Sequence, residues 1–198
     1  MATVYFISDA HFGHKNLSER FRGMSVEESD ELLIRNWNNK VKKKDDIVYY
    51  LGDFSMDAPE LLKKYLDRLN GKIYIIGGNH DTRRVCTKFK ELGITVLGCI
   101  EYKGYILTHM PVDRRIIKEG PLRRYKGNIH GHIHAYELVS PDYISVAADL
   151  NNLTPMTLEE IIEKQKKKHH LKVKLKNFLM YVTFLFNKVF KKKLEYWL

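Results

Sequence analysis

The sequence predicts a mixed α/β domain, and three observations carry that expectation. Short apolar runs recur along the chain and each leads into Asp, Asn or His; amphipathic stretches separate the early ones; past the middle, strand–helix–strand units give way to hairpin-like pairs. The runs are Val4-Tyr5-Phe6-Ile7, Ile47-Val48-Tyr49-Tyr50-Leu51, Ile73-Tyr74-Ile75-Ile76, Tyr105-Ile106-Leu107 and, more weakly, a lone Ile129. Rich in β-branched and aromatic residues and bounded by Gly or Asp, they read as buried strands.

Between the first two strands, residues 16–39 carry Leu32, Leu33, Ile34 and Trp37 among charges, the pattern of an amphipathic helix entered through the acidic turn Glu27-Glu28-Ser29-Asp30. Pro59 opens a second helix, residues 60–69, with Leu61, Leu62, Tyr65, Leu66 and Leu69 on one stripe and Asn70-Gly71 to end it. Residues 83–92 read as a further helix and residues 94–97 as a short strand. Residues 99–102 and 105–108 suit a hairpin turning at Lys103-Gly104. Residues 136–139 and 144–147 read as two more strands joined by Ser140-Pro141-Asp142, and Thr157 with Glu160 three residues later is a capping-box helix start. Hairpins among βαβ units predict a mixed sheet rather than a uniformly parallel one, which disfavours a plain Rossmann domain.

The 198 residues suffice for one catalytic domain, 1–162, with a basic appendage, 163–198. Cys86 and Cys99 have no metal-binding or redox spacing and read as reduced thiols. The first strand begins almost at once, without a basic n-region or small-residue cleavage site, so a cytoplasmic protein is expected. The net charge of +10 is unevenly spread. Eleven lysines and two glutamates lie from Glu163 onward, a net of +9, which leaves +1 for residues 1–162. A partner for the tail and a substrate for the domain are therefore separate questions.

The polar ends of the strands, in order, are Asp9-Ala10-His11, Gly52-Asp53, Gly78-Asn79-His80-Asp81, His109 and Gly131-His132-Ile133-His134. Strand ends that converge on one rim would gather these side chains where open α/β sheets place their chemistry. Two divalent cations need oxygen and imidazole donors, and a ligand able to bridge them at roughly 3.5–4 Å for attack on phosphorus. Asp53 is the candidate bridge, with Asp9, His11 and His134 on one ion and Asn79, His109 and His132 on the other. In extended backbone His132 and His134 project to the same side, so neighbouring ions can take one each. His80 is not needed as a ligand; with Asp81 beside it as an orienting acceptor, it is the candidate to protonate the leaving oxygen or to stabilise the charge developing on the phosphoryl group. Gly52, Gly77, Gly78 and Gly131 remove bulk where the backbone turns beside the ions. His14 is assigned a local hydrogen-bonding or substrate-side role rather than metal binding, and His130 a structural one.

These motifs, D-x-H, G-D, G-N-H-D, a lone His and G-H-x-H in that order, resemble those of the calcineurin-like metallophosphoesterases, and the opening residues 6–14 look like its small bacterial and phage members. The resemblance covers residues 3–162. It implies a four-layer α/β/β/α sandwich, with manganese as the first candidate metal and iron, zinc or nickel after it. One departure lies in the second motif, where the frequent G-D-x-x-D extension is replaced by a distant Asp57. The expected activity is hydrolysis of a small nucleotide-like phosphoester, as a phosphodiesterase or phosphatase, by a hydroxide bridging two metals. A DNA or RNA nuclease with the same metal chemistry is the alternative, and a non-catalytic scaffold the second.

Three arginine pairs, Arg83-Arg84, Arg114-Arg115 and Arg123-Arg124, lie near metal motifs. Guanidinium groups bind phosphate oxygens bidentately, so Arg83, Arg114 and Arg115 are the candidate substrate-binding residues. Written as a helix from Leu171, the tail places Leu171, Leu175, Phe178, Val182, Leu185, Phe186 and Val189 on one stripe, with lysines mostly away from it. Residues 178–186 are too few to span a bilayer, which needs about 20 apolar residues. A helix packed on the domain or across a homodimer interface is the first expectation for residues 171–198, an anionic membrane surface the second and nucleic acid the third.

Overall fold

A computed structural model describes residues 2–119, 125–134, 136, 138 and 140–167. The chain divides into two units, residues 1–161 and 162–198. In the second, residues 162–167 are helical; the expected tail helix from Leu171 and the Arg123-Arg124 pair lie outside the described residues.

The first unit holds two sheets. One has strands β1 (Val4–Ile7), β2 (Ile47–Tyr50), β3 (Lys72–Ile76), β4 (Thr95–Leu97) and the short β9 (Met156–Thr157), in the order β4-β3-β2-β1-β9. The first four run parallel, with Val4 opposite Ile47 and Ile47 opposite Lys72, while β9 is antiparallel. The other has β5 (Ile100–Tyr102), β6 (Tyr105–Leu107), β7 (Gly127–His130) and β8 (Tyr143–Ser145) in sequential order. Its β5–β6 pair is the expected hairpin, with Lys103 and Gly104 at φ 49° and 86°, and β6, β7 and β8 run parallel. Both sheets are thus mixed, the second through the expected hairpin and the first through β9, a strand not foreseen; the one mixed sheet expected from the strand pattern is two.

Alternation along the strands sorts the layers. Tyr5, Ile7, Val48, Tyr50, Ile73 and Ile75 face one core with Leu33, Ile34 and Trp37 of α1 (Val26–Lys40), Leu62 and Tyr65 of α2 (Leu62–Leu66), and Val85 and Phe89 of α3 (Arg83–Glu91). On the opposite face Phe6 stacks on Tyr49, and both rings meet Tyr102 of the second sheet, at centroid distances of 5.3 and 5.8 Å. Aromatic rings therefore form the seam between the sheets. The small helix α4 (Arg114–Lys118) buries Ile117. The first unit is a two-sheet α/β sandwich flanked by helices.

Three further expectations change. The helix foreseen over residues 16–39 is two pieces: a π-helical turn, Leu17–Arg22, ends at left-handed Gly23, and α1 starts after Ser25. Ser25 and Glu28 form a reciprocal capping box that overrides continuous helix. The helix over residues 60–69 shrinks to a 3₁₀ turn, Pro59–Leu61, and α2. Tyr136 and Leu138 lie outside any strand, so the strand expected at residues 136–139 does not form at its described positions. The capping box at Thr157 and Glu160 does form, with both reciprocal bonds.

Ser8, just past β1, accepts from the Ala148 N–H at 2.9 Å and donates to the Val146 carbonyl at 3.1 Å. This bridge ties the end of β1 to the segment after β8. The carboxyl ends of β1, β2, β3, β6 and β7 thereby share one rim.

Candidate metal centre

Past β1, β2 and β7 the backbone bends sharply enough to enter the left-handed region. Asp9, His11, Asp53, His132 and His134 have φ of 57°, 48°, 60°, 73° and 44°. Five of the eight described non-glycine residues with positive φ are thus residues expected to bind metal. That conformation costs an L-residue about 1–2 kcal/mol, so the surroundings must enforce it. Cross-loop hydrogen bonds do so: Asp9 N–H to the Gly52 carbonyl, His11 N–H to the Asp53 carbonyl and Gly131 N–H to the His109 carbonyl, all 2.9–3.1 Å. Close approach explains three glycines, the first being Gly52, where a Cβ would strike the His109 ring and the Gly78 backbone. A Cβ at Gly78 would strike the Asp53 carboxylate, and one at Gly131 would strike Ser8 and the Asp9 carboxylate. Gly77 has no such need, since the nearest atom to its added Cβ is the Cys86 sulfur at 3.7 Å; its expected role is dropped.

The side chains converge in two groups. Donor atoms of Asp9, His11 and His134 lie within 4.8 Å of one another, and so do those of Asp53, His109 and His132. Asp53 Oδ2 stands between them, 3.7 Å from His11 Nε2 and 3.3 Å from His109 Nε2. The Asn79 carbonyl oxygen lies 2.8 Å from both His109 Nε2 and His132 Nδ1. These are two candidate metal-binding groups, and the Asp53 carboxylate of the second comes close to His11 of the first. The donors suit divalent cations, being carboxylate, amide oxygen and imidazole. His11 gives the sharper test: it is buried, and neither ring nitrogen has a hydrogen-bond partner. Such an orphaned polar ring is costly unless a cation completes it.

Electrostatics follow from burial and neighbours. Burial pushes the His11 imidazole down to about 3 and raises the Asp9 carboxyl, although Ser8 Oγ donates to Asp9 at 2.6 Å. His134 is raised, chiefly by its hydrogen bond to Asp149 at 3.0 Å. For His109 burial acts downward, but the Asp53 carboxylate and the Leu51 carbonyl outweigh it and the net shift is upward. Its Nδ1 faces the Leu51 carbonyl at 2.7 Å, which fixes Nε2 as the lone-pair nitrogen.

The remaining site expectations fare unevenly. His80 is exposed at the rim, its ring centroid 5.3 Å from that of His11 and its N–H bonded to Asp53 Oδ1 at 2.8 Å. Asp81 needs correction as its orienting partner. The Asp81 carboxylate is buried and accepts the N–H groups of Asp53, Gly78 and Phe54 at 2.8, 2.9 and 3.2 Å, so it clamps the Asp53 turn. Arg83 is exposed at the start of α3. Arg114 pairs with Asp142 and Arg115 with Asp113, each at 2.9 Å, so both guanidinium groups have intramolecular carboxylates and their phosphate-binding role weakens. Asp57 accepts from the Tyr65 hydroxyl at 2.5 Å and pairs with Lys64 at 2.9 Å, away from any ligand role. His14 accepts the Leu17 N–H, as a local structural residue would. Arg22 and Asp149 were not foreseen: Arg22 donates to Asp149 at 2.8 Å, and Asp149 meets His134. An isolated Asp after the small residues Ala147-Ala148 repeats the strand-end pattern and was the available signal for Asp149. Arg22 had none.

A helix-flanked pair of mixed sheets, with clustered histidines and carboxylates at the strand ends, defines a metal-binding α/β enzyme class. The calcineurin-like phosphoesterase family profile matches residues 2–171, and the chain belongs to that family, whose members hydrolyse phosphoester bonds with divalent metals. An uncharacterized protein of Methanocaldococcus jannaschii is 36% identical over 177 residues, spanning 82% of this chain and 91% of its own. The gene 66 protein of Mycobacterium phage L5 is 39% identical over 85 residues, 41% of each chain. The crystal structure of a protein of unknown function from Aquifex aeolicus superposes with TM-score 0.63 at 26% identity, covering 82% of this chain and 99% of that one.

Proposed function

We propose that the protein is a two-metal phosphoesterase, a phosphodiesterase or phosphatase, that acts on a small nucleotide-like phosphoester. The observation that carries this reading is the Asp53 carboxylate, which belongs to the group with His109 and His132 and also reaches to 3.7 Å from His11 of the other group. Asp9, His11 and His134 would hold one ion, and Asn79, His109 and His132 the other, with Asp53 shared. When bound, divalent ions supply charge that polarises phosphoryl oxygens and lowers the pKa of a water from about 16 to about 7. The chain's own residues do the rest. Water attacks phosphorus directly and no side chain takes up the phosphoryl group. His80, exposed at the rim beside His11, delivers a proton to the departing oxygen. Manganese is the first candidate because the family resemblance implies it, and the mixed oxygen and imidazole donors also accommodate iron, zinc or nickel.

The nuclease reading rests on a basic rim and tail, and the pairing of Arg114 and Arg115 with carboxylates subtracts from it. An intact donor set speaks against a scaffold. Among the described residues no helix is long and apolar enough to cross a membrane. For the basic segment 171–198 we propose packing on a second copy or on an anionic membrane surface, in a cytoplasmic protein.

The test is a hydrolysis screen of the manganese-loaded protein across aryl phosphate mono- and diesters, cyclic nucleotides, dinucleotides and single-stranded DNA. Chelator-sensitive turnover of small diesters, little affected by salt, is expected. Turnover restricted to polynucleotide and falling steeply with salt would favour the nuclease instead.

A further inference from the structure

We propose that Arg22 and Asp149 are positioning residues for the Asp9, His11 and His134 group, holding His134 in the tautomer and orientation that its ion requires. The proposal rests on the two-metal reading. Asp149 Oδ2 lies 3.0 Å from His134 Nδ1, and Asp149 Oδ1 receives Arg22 Nε at 2.8 Å. A carboxylate facing Nδ1 makes that nitrogen the proton-bearing one, which leaves the Nε2 lone pair for a cation.

Arg22 is spent entirely on this region. Its side chain is only 5% exposed, and the guanidinium also donates to the Ala10 carbonyl and Ser29 Oγ at 3.0 Å and to the Asp9 carbonyl at 3.3 Å. One planar fork therefore clamps the loop bearing Asp9 and His11 and, through Asp149, the turn bearing His134. All three of those residues are left-handed, the conformation that needs enforcing. Lysine cannot reproduce such a fork. The π-helical turn Leu17–Arg22 sets the direction, for Arg22 turns inward while its neighbour Phe21 is 81% exposed.

The second group is oriented differently. His109 Nδ1 meets the Leu51 carbonyl, a neutral partner, while His132 Nδ1 faces the Asn79 oxygen that would itself hold the ion. An ion-paired support therefore serves one metal group, so its removal should weaken that ion selectively.

The experiment uses full-length, chelator-stripped protein titrated calorimetrically with manganese. Wild type should bind two ions. Asp149→Ala should keep one at wild-type affinity and weaken the other by about 10–100-fold. Asp149→Asn, which retains an acceptor without the charge, should fall between. Both variants leave Arg22 bonded to Ala10, Ser29 and Asp9, and circular dichroism checks that they fold. In the metal-free protein, nitrogen-15 NMR of the neutral His134 ring should show Nδ1–H in wild type and the commoner Nε2–H in Asp149→Ala. A folded Asp149→Ala protein that binds two ions at wild-type affinity, or keeps Nδ1–H, would overturn the proposal. Fewer than two ions on wild type would instead overturn the two-metal reading, and the tautomer would still decide the role of Asp149.

Discussion

His80 and the imidazoles around it divide by what each nitrogen faces. His11 is buried with no hydrogen-bond partner, whereas His80 is exposed and bonds to Asp53 only through its backbone N–H. His80→Ala should therefore retain both ions in metal analysis while turnover falls by about 10²–10⁴-fold, the range for lost acid–base catalysis. The loss should be smaller for nitrophenyl esters, whose leaving groups depart without a proton; an equal loss for all leaving groups would argue against proton delivery. Metal uptake should depend on pH with a definite sign. In the metal-free protein His134 is raised by Asp149, and His109 is raised because Asp53 and the Leu51 carbonyl outweigh its burial. Their protonated forms stabilise the metal-free fold fully below the ordinary histidine value near 6.5, and that contribution is lost as pH rises through the raised values. A cation must displace those protons, so manganese affinity should climb as pH rises above about 6.5 and weaken below it. His11, held near 3 by burial, is neutral throughout and adds nothing to the slope. Calorimetric affinities that are flat from about pH 6 to about pH 8 would contradict this.

Turns, more than strands or helices, decide which parts of the site were legible. Strand ends could be read because each apolar run stops at a Gly, Asp or His, and the metal-binding residue types follow immediately. The supporting contacts could not be read, because they join distant segments: Asp149 is 15 positions from His134, and Arg22 is 127 from Asp149. Adjacency also misled. Asp81 follows His80 in sequence, yet its carboxylate is committed to the Asp53 turn, where three N–H groups point into one buried pocket. Asp81→Ala should leave those donors without an acceptor, at about 1–3 kcal/mol for each one that stays buried. Urea unfolding of the metal-free variant should show a clearly lower midpoint with an unchanged slope, and Asp81→Asn a smaller loss. An unchanged midpoint would mean that water or rearrangement satisfies the turn. The same blindness to local competition explains the helix lengths, since Ser25 with Glu28 restarts a helix that the apolar spacing alone would carry through Gly23.

Charge separates the molecule into a nearly neutral catalytic part and a tail with a net of +9 from Glu163 onward. Periodicity made mixed strands legible but only as one sheet; the two-sheet architecture came from the family resemblance carried by the motif order, and the metal motifs all precede residue 162. What the tail covers was not, because an amphipathic stripe is the same whether it meets protein or lipid. A protein ending near Ile162 should keep hydrolysis of a small phosphodiester. If residues 171–198 lie on an anionic surface, the full-length protein should sediment with anionic liposomes and release as salt rises, each lysine contributing about 1 kcal/mol, while the shortened form stays in solution. Aggregation of the shortened form, with no liposome binding by either, would instead support packing on protein. The central claim is that Asp53 joins two metal groups into one hydrolytic site. Its most direct test is manganese stoichiometry, measured with turnover of a nitrophenyl diester, on wild type and Asp53→Asn. Two ions and full turnover on wild type, with both ions weakened and turnover abolished in the variant, is the predicted result; an Asp53→Asn protein that holds two tight ions and still turns over would contradict it.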